Sequence, residues 1–300
     1  PRRRRRKKAG KQAAATSGKD GTTRAKRDAT ISTLENAQTQ PAPVPMCAAA
    51  AGEASPSPPA TTARPTLRLH PEAFREGLSN HPDQEFADSI VTACTQGVDI
   101  GYKGPRHLRI HDNWPSVYKN CNAVCDVINK DIEAGITFGP FTHPPFPHFV
   151  SSPMGAFQKK HSSKYRVVHD LSYPPGDSIN DHIDIDDYRI HYISLDDVVR
   201  KVKLLGHNAL LAKLDLESAF KHIPVRREDW ELLGYCLHIN DPATGSTTTQ
   251  YFYDTVLQFG ARSSPALFDA FASAAEYIMY DSGATWVEHY LDDSDYVTGG

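Results

Sequence analysis

"TWVEHYLDDSDYVT", residues 285–298, alternates apolar and polar positions on both sides of a central pair of aspartates. "TWVEHYL" reads as a strand and "SDYVT" as its return partner, which puts Asp292 and Asp293 at the tip of a tight hairpin. Asp295 crowds the same stretch. Two like charges at ~4 Å in an effective dielectric of about 20 repel by about 4 kcal/mol. Carboxylates clustered at strand ends are relieved by a hard divalent cation. Mg²⁺ takes oxygen ligands, and usually one or two carboxylates together with substrate phosphates. Taken alone an Asp-Asp pair is a weak signal, because the pairs at Asp186–Asp187 and Asp196–Asp197 read as solvated turn or helix-start residues.

The surrounding chain narrows the choice. The sequence has 300 residues, 39% hydrophobic and 23% charged, which suits a folded core. No run of eighteen apolar residues occurs, so no membrane span is expected. The net charge of −3 conceals an asymmetry. Residues 1–65 carry thirteen Lys/Arg against four Asp/Glu, which leaves 66–300 acidic. "PRRRRRKKAGK" reads as a nuclear localisation signal, a nucleic-acid arm or a solvated charge run, so nucleus and cytoplasm both fit. Residues 28–65 are rich in Ala, Pro, Ser and Thr and lack the apolar surface to fold, so 1–65 are expected to be disordered. Five cysteines, an odd number without a signal peptide, argue against a disulfide framework. The chain opens on Pro1 and closes on Gly299–Gly300 directly after a strand, which reads as a fragment cut inside a domain.

From residue 66 the pattern becomes globular. Phe86, Ile90, Val91 and Cys94 share a helical face. "SVYKNCNAVCDVINKDIEAG" (116–135) reads as one helix that buries Val117, Cys121, Val124, Val127 and Ile128 and ends at Gly135. "FGPFTHPPFPH" (138–148) reads as an extended Pro-rich connector. Ser194 and Asp197 form a capping box before a helix with the stripe Leu195, Val198, Val199, Val202 and Leu205, closed by Gly206. "ALLAKLDLESAF" (209–220) reads as a buried strand ending in Asp215. "ELLGYCLHI" and "QYFYDTVL" flank a polar loop and read as a hairpin. Ser264 reads as the N-cap of a helix with Pro265 at its first position and a stripe of Leu267, Phe268, Phe271, Ala275 and Ile278. Helices followed by mixed strands, then strand–hairpin–helix–hairpin, give an α+β fold with an antiparallel sheet rather than a doubly wound one.

Four segments in this order resemble the reverse transcriptases of retroelements. "YLDD" (290–293) is similar to the YxDD hairpin of that family. "KLDLESAFKHIPV" (213–225) is similar to the strand and turn that supply its first catalytic aspartate. "LQFGARSSPALF" (257–268) resembles its LPFG/LPQG turn and SP-x-x-F helix, and "KKHSSKYRVVHDLSYPPGDSIND" (159–181) its fingers segment. The resemblance covers roughly residues 105–300, and its wording is most similar to retrotransposons of the tyrosine-recombinase (DIRS-like) group. It implies the fingers and palm of a right-hand polymerase. Fingers would occupy 138–206 and 230–262, and the palm 207–229 and 263–300, truncated before the thumb. A helical leader over 66–137 would precede them.

The resemblance also implies roles. Asp215, Asp292 and Asp293 would be catalytic and would hold two Mg²⁺ ions, Mn²⁺ serving as an alternative, with a further contact from the Leu216 carbonyl. Ser218 and Ala219 would offer backbone N–H groups to the triphosphate. Phe220 would be the steric gate against a 2′-OH. Lys160 and Arg166 would grip the phosphates, and Gly260 would let the backbone pass close to the templating pair. Tyr290 would lie near the primer terminus. The partners implied are an RNA or DNA template with its primer, and dNTPs, with no membrane. The sequence departs from the family at Gln258 (usually proline), Phe259 (glutamine in retroviral relatives), Ser218 (acidic in the retroviral motif, a change other retroelements tolerate) and Ser294–Asp295 (usually apolar). Three readings follow: an RNA-directed DNA polymerase, an inactive remnant or domesticated nucleic-acid-binding protein of the same fold, and a metal-dependent phosphatase or nuclease. The last leaves the basic fingers segment and the aromatic Phe220 unexplained.

Overall fold

Seen in a computed structural model, the capping box at Ser194 is complete: its hydroxyl accepts from the Asp197 N–H and the Asp197 carboxylate accepts from the Ser194 N–H. The structure describes residues 69–160, 162–190, 192–207, 210–240, 244–290 and 293–298, and the side chains of Leu211 and of 290–298 fall outside that description. The helices are α1 (Pro71–Gly77), α2 (Gln84–Gln96), α3 (Pro115–Lys119), α4 (Cys121–Glu133), α5 (Leu195–Leu205) and α6 (Ser264–Asp281). The strands are β1 (Arg109–Ile110), β2 (Thr137–Phe141), β3 (Val150–Ser151), β4 (Met154–Gln158), β5 (Tyr165–His169), β6 (Leu210–Asp215), β7 (Gly234–Asn240), β8 (Thr247–Asp254), β9 (Trp286–Tyr290) and β10 (Asp293–Thr298). Short 3₁₀ turns cover Asn180–His182, Ile185–Tyr188, Ala219–His222 and Arg227–Leu232.

The strands form a mixed sheet in the order β1-β3-β7-β8-β2, an antiparallel sheet β6-β10-β9 and the hairpin β4-β5. The α+β class with mostly antiparallel pairing is therefore observed; only the β1–β3 and β3–β7 contacts among the described strands are parallel. Two cores hold the sheets. One gathers Leu78, Ile90, Cys94, Phe220, Tyr253, Phe268 and Phe271 among α1, α2, the 219–222 turn and α6. The other sets Val117, Val124, Cys125 and Ile128 of α3 and α4 against Met154, Tyr235, Leu237 and Phe252. Each fully buried Phe or Leu stabilises the fold by about 1.5–3 kcal/mol. Among the described residues no helix is long and apolar enough to cross a membrane.

Five expectations need correction. The helix expected over 116–135 is two, because Asn120 leaves helical geometry (φ −125°, ψ 34°) between α3 and α4. The connector expected at 138–148 begins as β2, an edge strand on β8, with a register shift between Phe138 and Phe141. An edge and an irregular register are where proline is tolerated in a sheet. The stripe of α5 meets no core among the described residues, with Leu195 78% and Val199 40% exposed. The strand β6, expected to be buried, is an edge strand paired to β10, with Leu210 65% and Leu214 54% exposed. The cap of α6 is Ser263, one residue earlier than expected, because the Ser264 hydroxyl donates instead to the Gln258 carbonyl at 2.9 Å. The hairpin expected over 231–257 is present as β7–β8.

Candidate active site

Strand β6 ends on Asp215, and β10 begins on Asp293 directly opposite it. Directly opposite residues of an antiparallel pair lie about 4.5–5.5 Å apart at Cα. Asp293 also pairs with Tyr290 of β9, so β9 and β10 are joined through Leu291 and Asp292 alone. Both joining residues fall outside the described ones, but the hairpin and its register against β6 do not. Asp295 lies opposite Lys213 of β6 and Glu288 of β9. It therefore has one opposite and one like charge across from it in the register of the sheet.

The Asp215 side chain is exposed, and among the described residues no cation pairs with it. Hard carboxylate oxygen on an open strand end is a donor set that fits Mg²⁺. Among the described residues alone no three His, Cys, Asp or Glu groups converge as a metal site. Leu216 follows, 49% exposed. Ser218 then adopts a left-handed conformation (φ 57°, ψ 41°), the one non-glycine with positive φ among the described residues. Such a residue is strained, and a left-handed residue is one half of the αR–αL backbone nest that suits anions. The strain falls in the turn that the resemblance assigns to the triphosphate.

Ala219 and Phe220 are buried in the 3₁₀ turn that follows. The Phe220 ring, 7% exposed, lies 4.6 Å from Phe259 and 5.7 Å from Phe268 between centroids. The Arg166 guanidinium sits over the other ring of the pair, 5.8 Å from the Phe259 centroid. Such a cation–π contact is worth about 0.5–1 kcal/mol where exposed. It joins β5, the 257–260 turn and the 219–222 turn, so Arg166, Phe259 and Phe220 form one stack. Lys160 is exposed in the β4–β5 turn, apart from this stack. The turn closes by a bond from the Lys159 N–H to the Lys164 carbonyl.

Gly260 has φ +116°, and a Cβ there would stand 2.4 Å from the His169 carbonyl oxygen. Only glycine fits a backbone approach that close with that dihedral. Asn180, 5% exposed, fixes the same turn from the other side. Its amide donates to the Gly260 carbonyl at 2.7 Å and its carbonyl accepts from the Arg262 N–H at 2.8 Å. The sequence pattern gives Asn180 no role, and a polar residue inside the segment 159–181 is its one local signal.

Gln258 and Phe259 show what the departures from the family pattern do here. Gln258 is 4% exposed and donates to the Asp254 carboxylate at 2.9 Å and the Leu233 carbonyl at 3.2 Å. Asp254 also accepts from the Thr137 hydroxyl at 2.6 Å, yet burial holds its carboxyl above the usual range. The neighbouring His169 ring is pushed down to about 4 by burial and, secondarily, by Lys221, and so stays neutral. Lys221 pairs with Asp131 of α4 at 2.5 Å. On the β9 side of the β9–β10 hairpin, His289 lies between two carboxylates of α6. Its Nδ1 is 2.6 Å from Glu276 and its Nε2 3.1 Å from Asp269. The hydrogen bond to Glu276 chiefly raises its pKa. Glu288, the preceding residue, pairs with Lys201 of α5. In comparisons with known proteins, no family model matches the chain and no curated protein matches it.

Proposed function

We propose that this chain carries the fingers and palm of an RNA-directed DNA polymerase of a retroelement, which adds dNTPs to a primer 3′-OH. The observation that carries the reading is the register of β6 against β10. It brings Asp215 opposite Asp293, beside the connection that holds Asp292. The strained turn at Ser218 and the Arg166–Phe259–Phe220 stack border the same strand end and add support.

In this reading Asp215, Asp292 and Asp293, with the Leu216 carbonyl, are the oxygen donors for two Mg²⁺ ions, or Mn²⁺ in their place. When bound, such a pair activates the attacking hydroxyl and stabilises the leaving pyrophosphate. The protein itself supplies position and charge. Lys160 and Arg166 bind the triphosphate, Lys160 as a point charge and Arg166 through a fork preoriented on the Phe259 ring. The N–H groups of Ser218 and Ala219 face the phosphates across the left-handed turn. Phe220, fixed between two aromatic rings, closes the space where a 2′-OH would sit. Gly260 keeps the backbone thin beside the templating base.

Primer extension with the whole chain, Mg²⁺, dNTPs and an RNA or DNA template tests the reading. Extension by the parent and its loss in Asp215→Asn and Asp292→Asn is expected. Equal activity in parent and variants refutes it. Template binding without extension, in the parent as in the variants, points instead to a binding protein that kept the fold.

A further inference from the structure

Beneath the 219–222 turn lies a cavity of about 40 Å³, lined on its polar side by Asp131, His169, Lys221, Asp254 and Gln258. A charged cluster under an apolar floor is costly unless each group is paired. Lys221 and Asp131 are paired, with side chains only 28% and 20% exposed. Burial holds the Asp131 carboxyl above the usual range despite Lys221. The two residues belong to different parts of the chain: Asp131 to the last turn of α4, Lys221 to the turn that carries Ala219 and Phe220. Lys221 directly follows the ring that packs on Phe259. Its backbone N–H is bonded to the Ser218 carbonyl at 2.8 Å within the turn, and its side chain reaches from the turn to Asp131. The cavity is lined by both members of the ion pair and by Phe259, the ring on which Phe220 packs.

We infer that Lys221 is a positioning residue for sugar selection. Its ion pair with Asp131 tethers the 219–222 turn to α4 and sets where the Phe220 ring meets the nucleotide. This rests on the polymerase reading for the identity of the substrate, but the tether itself does not. α4 thereby acts on the site from outside the fingers and palm motifs. Lys221 touches no reacting atom, so it acts only through Phe220.

Three variants of the whole chain test it: Lys221→Met, Asp131→Asn, and the exchange Lys221→Asp with Asp131→Lys, which restores an ion pair of similar reach. The first readout is the dNTP-to-rNTP ratio of kcat/KM in primer extension. A displaced gate is expected to lower that ratio by about tenfold in each single variant, and the exchange to restore most of it. The second readout needs no activity: the ¹⁹F resonance of 4-fluorophenylalanine placed at position 220. It is expected to shift in both single variants and to return in the exchange. An unmoved resonance in Lys221→Met overturns the inference, as does an unchanged ratio in an active Lys221→Met. If single variants unfold while the exchange folds, the pair is structural and sugar selection in the folded exchange decides: parental selectivity supports the tether, altered selectivity refutes it. A parent without extension activity defeats the polymerase reading while the ¹⁹F arm still decides the tether.

Discussion

Replacing His289 by Gln measures how firmly the hairpin that carries residues 291–293 is held. His289 is 13% exposed in its side chain and lies between Glu276 and Asp269, themselves 24% and 30% exposed. Both ring nitrogens face carboxylates, so both are donors only in the imidazolium form. The hydrogen bond to Glu276 raises the pKa above 6.5, burial opposes it, and the bond to Asp269 adds to the rise. A group whose folded pKa is raised stabilises the fold fully below its unfolded value. That contribution is lost as pH rises through the folded value. A hydrogen bond to a charged group is worth about 1.5–3 kcal/mol, and the partial exposure of both carboxylates argues for the lower end. Glutamine keeps one neutral donor. The expected loss is therefore about 2 kcal/mol at pH 6, and it declines toward pH 9 as the wild-type ring gives up its proton. Urea unfolding at both pH values, followed by circular dichroism, reads this directly. A stability difference that is equal at both pH values, or larger at pH 9, refutes the imidazolium clamp.

Three further substitutions probe the neighbouring turns. Gly260→Ala forces a Cβ against the His169 carbonyl at φ +116° and is expected to cost at least about 2 kcal/mol; an unchanged thermal midpoint would contradict the close approach. Asn180→Ala strips partners from the Gly260 carbonyl and the Arg262 N–H, an expected loss of about 2–3 kcal/mol in chemical denaturation, whereas a loss under 0.5 kcal/mol would mean that water replaces both bonds. Phe220→Ala removes a ring packed on Phe259 and Phe268 and is expected to cost about 3 kcal/mol. In primer extension the same variant should admit ribonucleotides, and unchanged sugar discrimination removes the gate role.

Where local chemistry specified an element, the sequence was enough to place it. The Ser194–Asp197 capping box, the β7–β8 hairpin and the two strands flanking Asp292 were legible because caps and alternation act within a few residues. What was not legible depended on partners far along the chain. The Phe138–Phe141 segment contains Gly139 and Pro140 and lacks alternation, yet it is a strand because the β8 edge accepts it. The apolar run of β6 reads the same whether both faces are covered or one is open, so its exposure was invisible. At the site, the aspartates were identifiable from motif and position, but the register that sets Asp293 against Asp215 is a property of strand pairing. Asn180, His169, Asp254 and Lys221 carried no local signal beyond being polar within or beside apolar stretches. Their roles come from groups up to 117 residues away, as in the bond between Thr137 and Asp254.

The departures at 258 and 259 look independent in sequence and are not independent in space. A glutamine with 4% exposure needs partners for its amide, and it finds the Asp254 carboxylate and the Leu233 carbonyl. Asp254 in turn needs neutral donors, because burial raises its pKa, and it has Thr137 as well as Gln258. Phe259 cannot hydrogen-bond a substrate, but its ring contacts both Arg166 and Phe220. The polar residue is thus turned inward to hold the turn and the aromatic one outward to hold the cation. Proline at 258 would remove the amide and leave Asp254 with one donor fewer in the interior, a loss of about 1–3 kcal/mol. Glutamine at 259 would withdraw the ring from both Arg166 and Phe220. Proline at 258 or glutamine at 259, introduced one at a time, is therefore expected to damage this protein, because Gln258 is matched to Asp254 and Phe259 to Arg166, and each pair changes sensibly only as a pair.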